Sequence, residues 1–344
     1  MVEALGERAL IRLIIEELKR DPEELLGLGM DDAVAKDLRK DRMDGTEILV
    51  AHTDMLTEST DMPPGMSYRQ LARKAVVANL SDLASKGARP FGLLFAWGLP
   101  KGFRAKDVIE LAKGLNDGAL ENETYILGGD LGEAKELTLA GFAIGFARRD
   151  GLMRRSGAKP GHILALTGLM GWTALGFKIL FEGLEAPREL RNKALKFLYE
   201  PRARVKEGLA LAKIGGSKIG CMDVSDGLAL SLHQLTSSSR VGAIIDSVPM
   251  DEILRSFALE HGLNPLHLCL YQGGEEYELL LSLPEELFED ARRSLRPLGC
   301  HLHRIGYVTA ERRIILKAEG REEDIKPLGW EHLKEKPEGR QFRE

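Results

Sequence analysis

Asp223 and Asp226 stand three residues apart in the run Met222-Asp223-Val224-Ser225-Asp226-Gly227-Leu228. Apolar residues precede this run, and Leu228, Leu230, Leu232 and Leu235 follow it in a helical pattern. The stretch reads as a strand end, a tight turn and a helix start. Backbone N–H groups and the Ser225 hydroxyl would then point at one spot that both carboxylates also face. That suits a metal ion and the phosphates it neutralises. Asp and Ser are also the usual helix N-caps, so taken alone the stretch reads first as an ordinary helix start. Four other acidic turns shift the balance. Asp31-Asp32 follows a glycine-bearing turn at Gly27-Leu28-Gly29-Met30, and His52-Thr53-Asp54 ends a strand expected over 46–51. Gly128-Gly129-Asp130 ends a strand expected over 124–127, and Gly273-Gly274-Glu275-Glu276-Tyr277-Glu278 runs straight into Leu279-Leu280-Leu281. Asp82 joins them from a helix, where it shares the apolar face of Leu71, Ala75 and Ala78 and needs a partner to stay charged.

Brought together, Asp32, Asp54, Asp82, Asp130, Asp223 and Asp226 would repel one another unless divalent cations intervened. Mg²⁺ takes carboxylates, waters and phosphate oxygens, and nucleotide phosphates are its natural companions. No Gly-Lys-Ser/Thr phosphate loop occurs; Thr167-Gly168-Leu169-Met170-Gly171 is a glycine turn of another kind. Residues and spacing therefore point to a Mg²⁺-dependent nucleotide enzyme without a phosphate loop. They do not reach the acceptor.

The elements that must position these groups alternate between helix and strand. Helices are expected over 6–19, from Ser67, and over 107–115, 188–197, 202–213 and 285–295. Ser67 and Gln70 form a capping box, and Gly87 is placed to end that helix. The 56–65 segment, with Pro63-Pro64, reads as a loop. Strands are expected over 137–147, 162–166, 241–245, 302–308 and 313–316. This alternation predicts an α/β or α+β chain of two domains, 1–150 and 151–344, with a polar tail from Glu331. Trp330, large and apolar in polar company, either packs locally or stacks on a flat ring.

Bulk properties narrow the classes. At 344 residues, two cores are the default. A formal charge of −5 argues against a broad nucleic-acid surface. Cys221, Cys269 and Cys300 are widely spaced, which fits neither a disulfide framework nor a zinc site. The first residues do not read as a signal peptide, and no apolar run approaches a membrane span, so a cytoplasmic protein is expected.

In order, Gly29–Ala33, Thr53–Glu58, Asn79–Ala88, Gly128–Asp130, Arg155–Gly161, Asp223–Leu228 and Gly273–Leu280 resemble the motifs of thiamine-monophosphate kinases, a family of the aminoimidazole-ribonucleotide-synthetase-like (PurM-like) superfamily. The resemblance covers nearly the whole chain. It implies transfer of the ATP γ-phosphoryl group to thiamine monophosphate. It also implies an N-terminal domain whose strands form a β-barrel across a homodimer, and a C-terminal α+β domain. On this likeness Asp32, Asp54, Asp82, Asp130, Asp223 and Asp226, with Thr53 and the backbone of His52, correspond to Mg²⁺ ligands. Gly129, Asp130, Arg155 and Ser225 correspond to ATP contacts, and Gly274, Glu275 and Trp330 to thiamine contacts. Asp61 stands where many members carry a substrate-binding histidine, and Met30 replaces a usual glycine. Other members of the superfamily act on selenide, a carbamoylated protein tail or a purine precursor. The selenide enzyme would carry a reactive N-terminal cysteine and the hydrogenase-maturation enzyme a cysteine tail; neither feature is found here. A non-catalytic nucleotide-binding subunit would be expected to lose some acidic turns, and all are present.

Overall fold

The computed structural model describes residues 13–20, 22, 24–26, 35–36, 47–318 and 320–330. Residues 13–17 are helical, within the expected first helix. The acidic turn at Asp31-Asp32, and with it Met30, lies outside the described residues. The chain divides into two compact units, the first built from within 1–83 and 89–146, the second from 84–88 and within 147–339.

In the first unit β1 (Glu24–Leu26) pairs antiparallel with β2 (Ala35–Lys36). A separate four-stranded sheet follows the order β3-β6-β4-β5, with β3 at Glu47–Thr57, β4 at Arg89–Leu99, β5 at Ile126–Glu133 and β6 at Thr138–Arg148. β4 runs antiparallel to β6 and parallel to β5. The parallel step needs a crossover, and α3 (Ala105–Glu121) supplies it. A short α1 (Glu58–Asp61) and the long α2 (Tyr68–Ser85) connect β3 to β4. The capping box forms as expected. The Ser67 amide donates to Gln70 Oε1 at 3.0 Å and the Gln70 amide to Ser67 Oγ at 3.2 Å. Gly87, at φ 66°, closes the helix with its N–H on the Ala84 carbonyl.

Two strands are longer than expected. β3 continues through His52-Thr53-Asp54 to Thr57, so these residues lie within a strand rather than at its end. β5 likewise carries Gly128-Gly129-Asp130 in its interior. In both, a neighbouring strand keeps the backbone extended past the polar residues. Part of the expected 56–65 loop is the end of β3 and α1. The sheet is open among the described residues. Odd-numbered positions of β4 and β6 face α2, where Gly141 and Gly145 leave room for Asn79 and Leu83. Even-numbered Leu94, Ala96 and Phe142 lie on the other face, where Ala96 and Phe142 are exposed among the described residues.

The second unit has a seven-stranded sheet in the order β13-β12-β9-β11-β7-β10-β8. Its strands are β7 (Ile163–Leu166), β8 (Gly220–Val224), β9 (Gly242–Ile245), β10 (Glu278–Leu283), β11 (His303–Thr309), β12 (Ile314–Ala318) and β13 (Arg321–Asp324). All pairings are antiparallel except β9 with β12. Its helices are α4 (Trp172–Phe181), α5 (Arg188–Tyr199), α6 (Val205–Ile214), α7 (Leu228–Ser239), α8 (Glu252–Glu260), α9 (Pro265–Tyr271) and α10 (Glu285–Leu295). The central strands are buried on both faces, which explains their continuous apolar runs. Leu228, Leu232 and Leu235 of α7 pack on Met222, Val224, Leu280 and Ile305. Cys221, Cys269 and Cys300 are buried and unpaired.

In the first unit α2 and α3 run side by side. Arg69 pairs with Asp117 at 2.6 Å and Arg73 with Glu121. Gly114 permits the approach, because a Cβ there would lie 2.1 Å from the Arg69 carbonyl oxygen. Alanine in place of glycine inside an unpacked helix gains roughly 1 kcal/mol. Here steric overlap outweighs that gain, and overpacking typically costs about 1–3 kcal/mol. Gly114→Ala is therefore expected to lower the thermal midpoint; a raised midpoint would show that the helices separate freely.

Candidate active site

In the second unit the Asp223–Asp226 turn joins β8 to α7. Val224 ends the strand, Gly227 takes φ 103°, and the helix begins at Leu228. Gly227 occupies the N-cap position, so the Asp or Ser cap expected of an ordinary helix start does not stand there. Asp223 is 6% exposed and lies opposite Leu279 in the β8–β10 register.

Two distant segments close on this turn. The Glu275 N–H donates to the Ser225 carbonyl at 2.6 Å, and the Tyr277 N–H to the Val224 carbonyl at 2.9 Å. The Trp330 N–H donates to the Asp226 carbonyl at 2.9 Å. A Cβ on Gly274 would lie 3.2 Å from the Ser225 carbonyl oxygen, and Gly274 itself has φ 150°. Ser225, Asp226, Gly274, Glu275 and Trp330 are thus brought together by backbone bonds, with Asp223 at the strand end beneath.

The turn at 273–278 is not the solvated hairpin its charges alone would give. Glu275 and Tyr277 have φ 61° and 52°, a region that side chains other than glycine occupy at a cost of about 1–3 kcal/mol each. Buried polar groups hold them there. Glu278, 6% exposed, takes a forked bond from Arg204, with Nε to Oε2 at 2.8 Å and Nη2 to Oε1 at 2.5 Å. The Thr167 hydroxyl donates to Glu278 Oε2 at 2.6 Å and accepts from the Leu279 N–H at 2.8 Å. Arg204 Nη1 reaches Glu207 at 3.0 Å. Burial alone would lower the Arg204 pKa, but Glu278 and Glu207 raise it, so the guanidinium stays charged. Arg204 and Thr167 carry no sequence signal of this role, because their partner is far along the chain.

Arg155 is not among the residues brought to this turn. It starts a 3₁₀ turn (Arg155–Gly157) beside Gly220, at the opposite end of β8 from Ser225. Five strand residues separate those ends by roughly 16 Å.

In the first unit, alternation along β3 turns His52 and Asp54 to the side of α2 and Thr53 to the other face. His52 Nε2 lies 3.1 Å from Asp82 Oδ2. The Asp54 N–H donates to Asn79 Oδ1 at 3.0 Å, and the Asn79 amide donates to the Ala75 carbonyl at 3.0 Å. Asp82 is not fully buried as its apolar face suggested: its side chain is 32% exposed, with His52 as one neighbour. Asn79 ties β3 to the same helix turn; in the sequence it stands only as the first residue of the Asn79–Ala88 motif. The Thr53 hydroxyl donates to the Gly141 carbonyl at 2.7 Å. Gly129 pairs with Phe95, and a Cβ would lie 1.9 Å from the Phe95 carbonyl oxygen, so only glycine fits. Asp130 follows it, exposed on β5. Asp61 is engaged locally, its Oδ2 accepting from the Thr57 N–H at 2.8 Å and the Thr60 hydroxyl at 2.6 Å. Among the described residues no three His, Cys, Asp or Glu side chains stand close enough to hold a metal by themselves.

Comparison with known proteins shows the family. The family described as AIR synthase related protein, N-terminal domain, matches residues 29–147, and its C-terminal domain counterpart matches residues 159–319. The thiamine-monophosphate kinase of Pyrococcus horikoshii is 33% identical over 332 residues, covering 96% of this chain and 97% of that one. The chain belongs to the thiamine-monophosphate kinase family. A crystal structure of the thiamine-monophosphate kinase from Stenotrophomonas maltophilia K279a superposes with a TM-score of 0.76 at 26% identity, covering 92% of this chain and 98% of that one. AaThiL complexed with AMPPCP and TMP has the same fold, with a TM-score of 0.73 at 23% identity over 97% of this chain and 99% of that one. The two-domain PurM-like α/β fold is thus shared with this family.

One carboxyl in the 273–278 turn is tuned. Glu276 accepts from the Thr173 hydroxyl at 2.7 Å. Burial pushes its pKa up to about 7, against the pull of that hydroxyl and nearby backbone amides. Because the folded value lies above the unfolded one, the neutral carboxyl stabilises the fold at low pH. That contribution is lost as pH rises through about 7. Between about pH 5 and about pH 8 the thermal midpoint of the wild-type chain should fall more than that of Glu276→Gln. Parallel pH profiles for the two proteins would overturn this reading.

Proposed function

We propose that this protein transfers the γ-phosphoryl group of ATP to thiamine monophosphate, giving thiamine diphosphate and ADP, in the cytoplasm. The meeting of the Asp223–Asp226 turn, the 273–278 turn and Trp330 carries the reading, in a chain whose full-length relatives bear the name thiamine-monophosphate kinase.

The donor set is all oxygen and mostly carboxylate, which fits Mg²⁺. Mg²⁺ usually keeps several waters and takes one or two carboxylates plus substrate phosphates, so it needs no cluster of three protein ligands in advance. In the first unit Asp54, Asp82 and Asp130 are the proposed ligands, with Thr53 and the His52 backbone. In the second they are Asp223 and Asp226. Asp32, assigned by resemblance, lies outside the described residues. When bound, the ions would offset the repulsion between two phosphate-bearing substrates.

The chain's own residues do the rest. In the second unit Ser225 and the first amides of α7 are left free of side-chain caps and can bind phosphate oxygens. Gly129 and Asp130 are assigned to the nucleotide in the first unit. Arg155 is assigned to it by resemblance, from its separate position in the 3₁₀ turn beside Gly220. Gly274 and Glu275 present backbone and carboxylate to thiamine. Half-buried Trp330, fixed by its own N–H, offers a ring for stacking. Asp61 retains Oδ1 for substrate. The acceptor is a phosphate monoester, largely ionised near neutral pH, so direct in-line transfer needs no general base and no phosphoenzyme.

Turnover of ATP with thiamine monophosphate tests this, against selenide and carbamoylated peptide as rival acceptors. Asp54→Asn and Asp223→Asn should each cut kcat by orders of magnitude with circular dichroism unchanged. Trp330→Ala should raise the KM for thiamine monophosphate more than it lowers kcat. Wild-type-like rates in the aspartate variants at saturating Mg²⁺ would remove the metal assignment.

The open sheet supports a homodimer. β3 is an eleven-residue edge strand whose outer face shows Leu49 and Met55, 62% and 56% exposed, beside Phe142 at 40%. Exposed apolar faces and long edges call for a partner. A second copy would bury both and could complete a barrel across the two-fold axis. Light scattering should give a dimer for the wild type and a monomer for Phe142→Glu. A monomeric wild type at micromolar concentration would refute it.

A further inference from the structure

At the other end of α7 from the Asp223–Asp226 turn lies a second site of distinct chemistry. A cleft of about 470 Å³ opens where the last turns of α7 meet β12 and β13. That volume falls within the range of small-molecule sites. His233, Arg240, Arg312 and Arg313 line it, over an apolar floor that includes Val241, Ile314 and Ile325. Three guanidinium groups around one cleft are unexpected in a chain whose net charge is −5.

The partners of these groups have been accounted for unevenly. Arg313 is neutralised, its Nη2 lying 3.0 and 3.1 Å from the two Asp324 oxygens. His233 Nε2 is taken by the Ile325 carbonyl at 2.7 Å, and the Thr236 hydroxyl donates to the Leu232 carbonyl at 2.8 Å. Arg240 and Arg312 have no ion-pair or side-chain hydrogen-bond partner among the described residues, so the cleft carries uncompensated positive charge. A second observation concerns Arg240 itself. It ends α7 at φ 58°, ψ 40°, in the left-handed position where glycine or asparagine is the usual residue. Helix termination alone would be served better by glycine. An arginine kept at a strained position, with its guanidinium on a cleft, points to a use for the side chain.

We propose that this cleft binds a small phosphate-bearing anion. Guanidinium groups match phosphate oxygens in a forked geometry. Two unpaired guanidinium groups call for more than one negative charge, which a diphosphate supplies. The apolar floor accepts a nonpolar portion when the phosphates carry one. The twelve residues of α7 span about 18 Å. Occupancy of the cleft therefore leaves the Asp223–Asp226 turn free.

Calorimetric titration of the full chain, with EDTA present to exclude divalent ions, tests the proposal. The probes are inorganic diphosphate and ADP. One site per chain is expected for diphosphate. Equal affinity for ADP would identify the phosphates as the recognised group, and tighter ADP binding would place the nucleoside on the apolar floor; both support the site. In the double variant R240G/R312A the affinity should fall at least tenfold. Glycine suits the left-handed position, so the unfolding midpoint should not fall, and Asp223→Asn should leave binding intact. The proposal is overturned if neither probe binds at millimolar concentration, if binding survives in R240G/R312A, or if Asp223→Asn alone abolishes it.

Discussion

The fork between Arg204 and Glu278 holds the second unit's site in shape. Glu278 is the first residue of β10, and everything from Gly273 to Tyr277 hangs from it. With two residues other than glycine in left-handed conformation, that segment would relax if its end were free. A buried ion pair is poor evidence of net stability, since desolvation can cancel the attraction. Loss of one partner is different, because it strands a buried charge at a cost of about 3–5 kcal/mol. The pair therefore acts as a constraint more than as a source of stability. Thr167 extends the constraint to β7 by bonding both Glu278 and the backbone of Leu279.

The first unit meets a related demand by another route. Polar side chains must lie between a sheet and a helix without opening a void or losing their hydrogen bonds. Glycine supplies the space. A Cβ on Gly141 would lie 2.2 Å from Asn79 Nδ2, so the Asn79 amide can reach β3 only because position 141 has no side chain. Gly129 allows the Phe95 carbonyl the same closeness. The glycines scattered through β4, β5 and β6 weaken strand propensity. They are tolerated because Leu93, Phe95, Leu111 and Leu115 bury fully around them.

Much of this was legible in the chain itself, and the failures share a cause. The strand–turn–helix at Asp223–Leu228 and the capping box at Ser67 are local patterns, and both formed where the residues indicated. Strand ends were not local. His52-Thr53-Asp54 and Gly128-Gly129-Asp130 look like the close of a strand because polarity and glycine punctuate the run. Their extension is set by β6 and β4, which pair with them from elsewhere in the chain. β4, α8, α9 and β13 lay in stretches with no assigned element: β4 is an apolar run with glycines and no alternation, and the others are short. The roles of Arg204, Thr167 and Asn79 escaped notice because a buried polar residue is informative only once its partner is known.

Gly227 at the head of α7 decides how the central turn can act. Had Asp226 or Ser225 capped the helix, one oxygen would have been consumed and one amide satisfied. With glycine there, the N-cap position itself contributes no side-chain oxygen to the first amides of α7. A single short turn thus presents positive and negative character side by side. Phosphate oxygens answer the amides, and a hard cation answers the carboxylates. A bare anion would meet the carboxylates of Asp223 and Asp226, and a bare cation would meet the positive end of the helix. Under the proposed function, a metal-bound phosphate would satisfy both halves at once. The turn's sequence order, carboxylate before glycine before helix, is what keeps the two halves from neutralising each other.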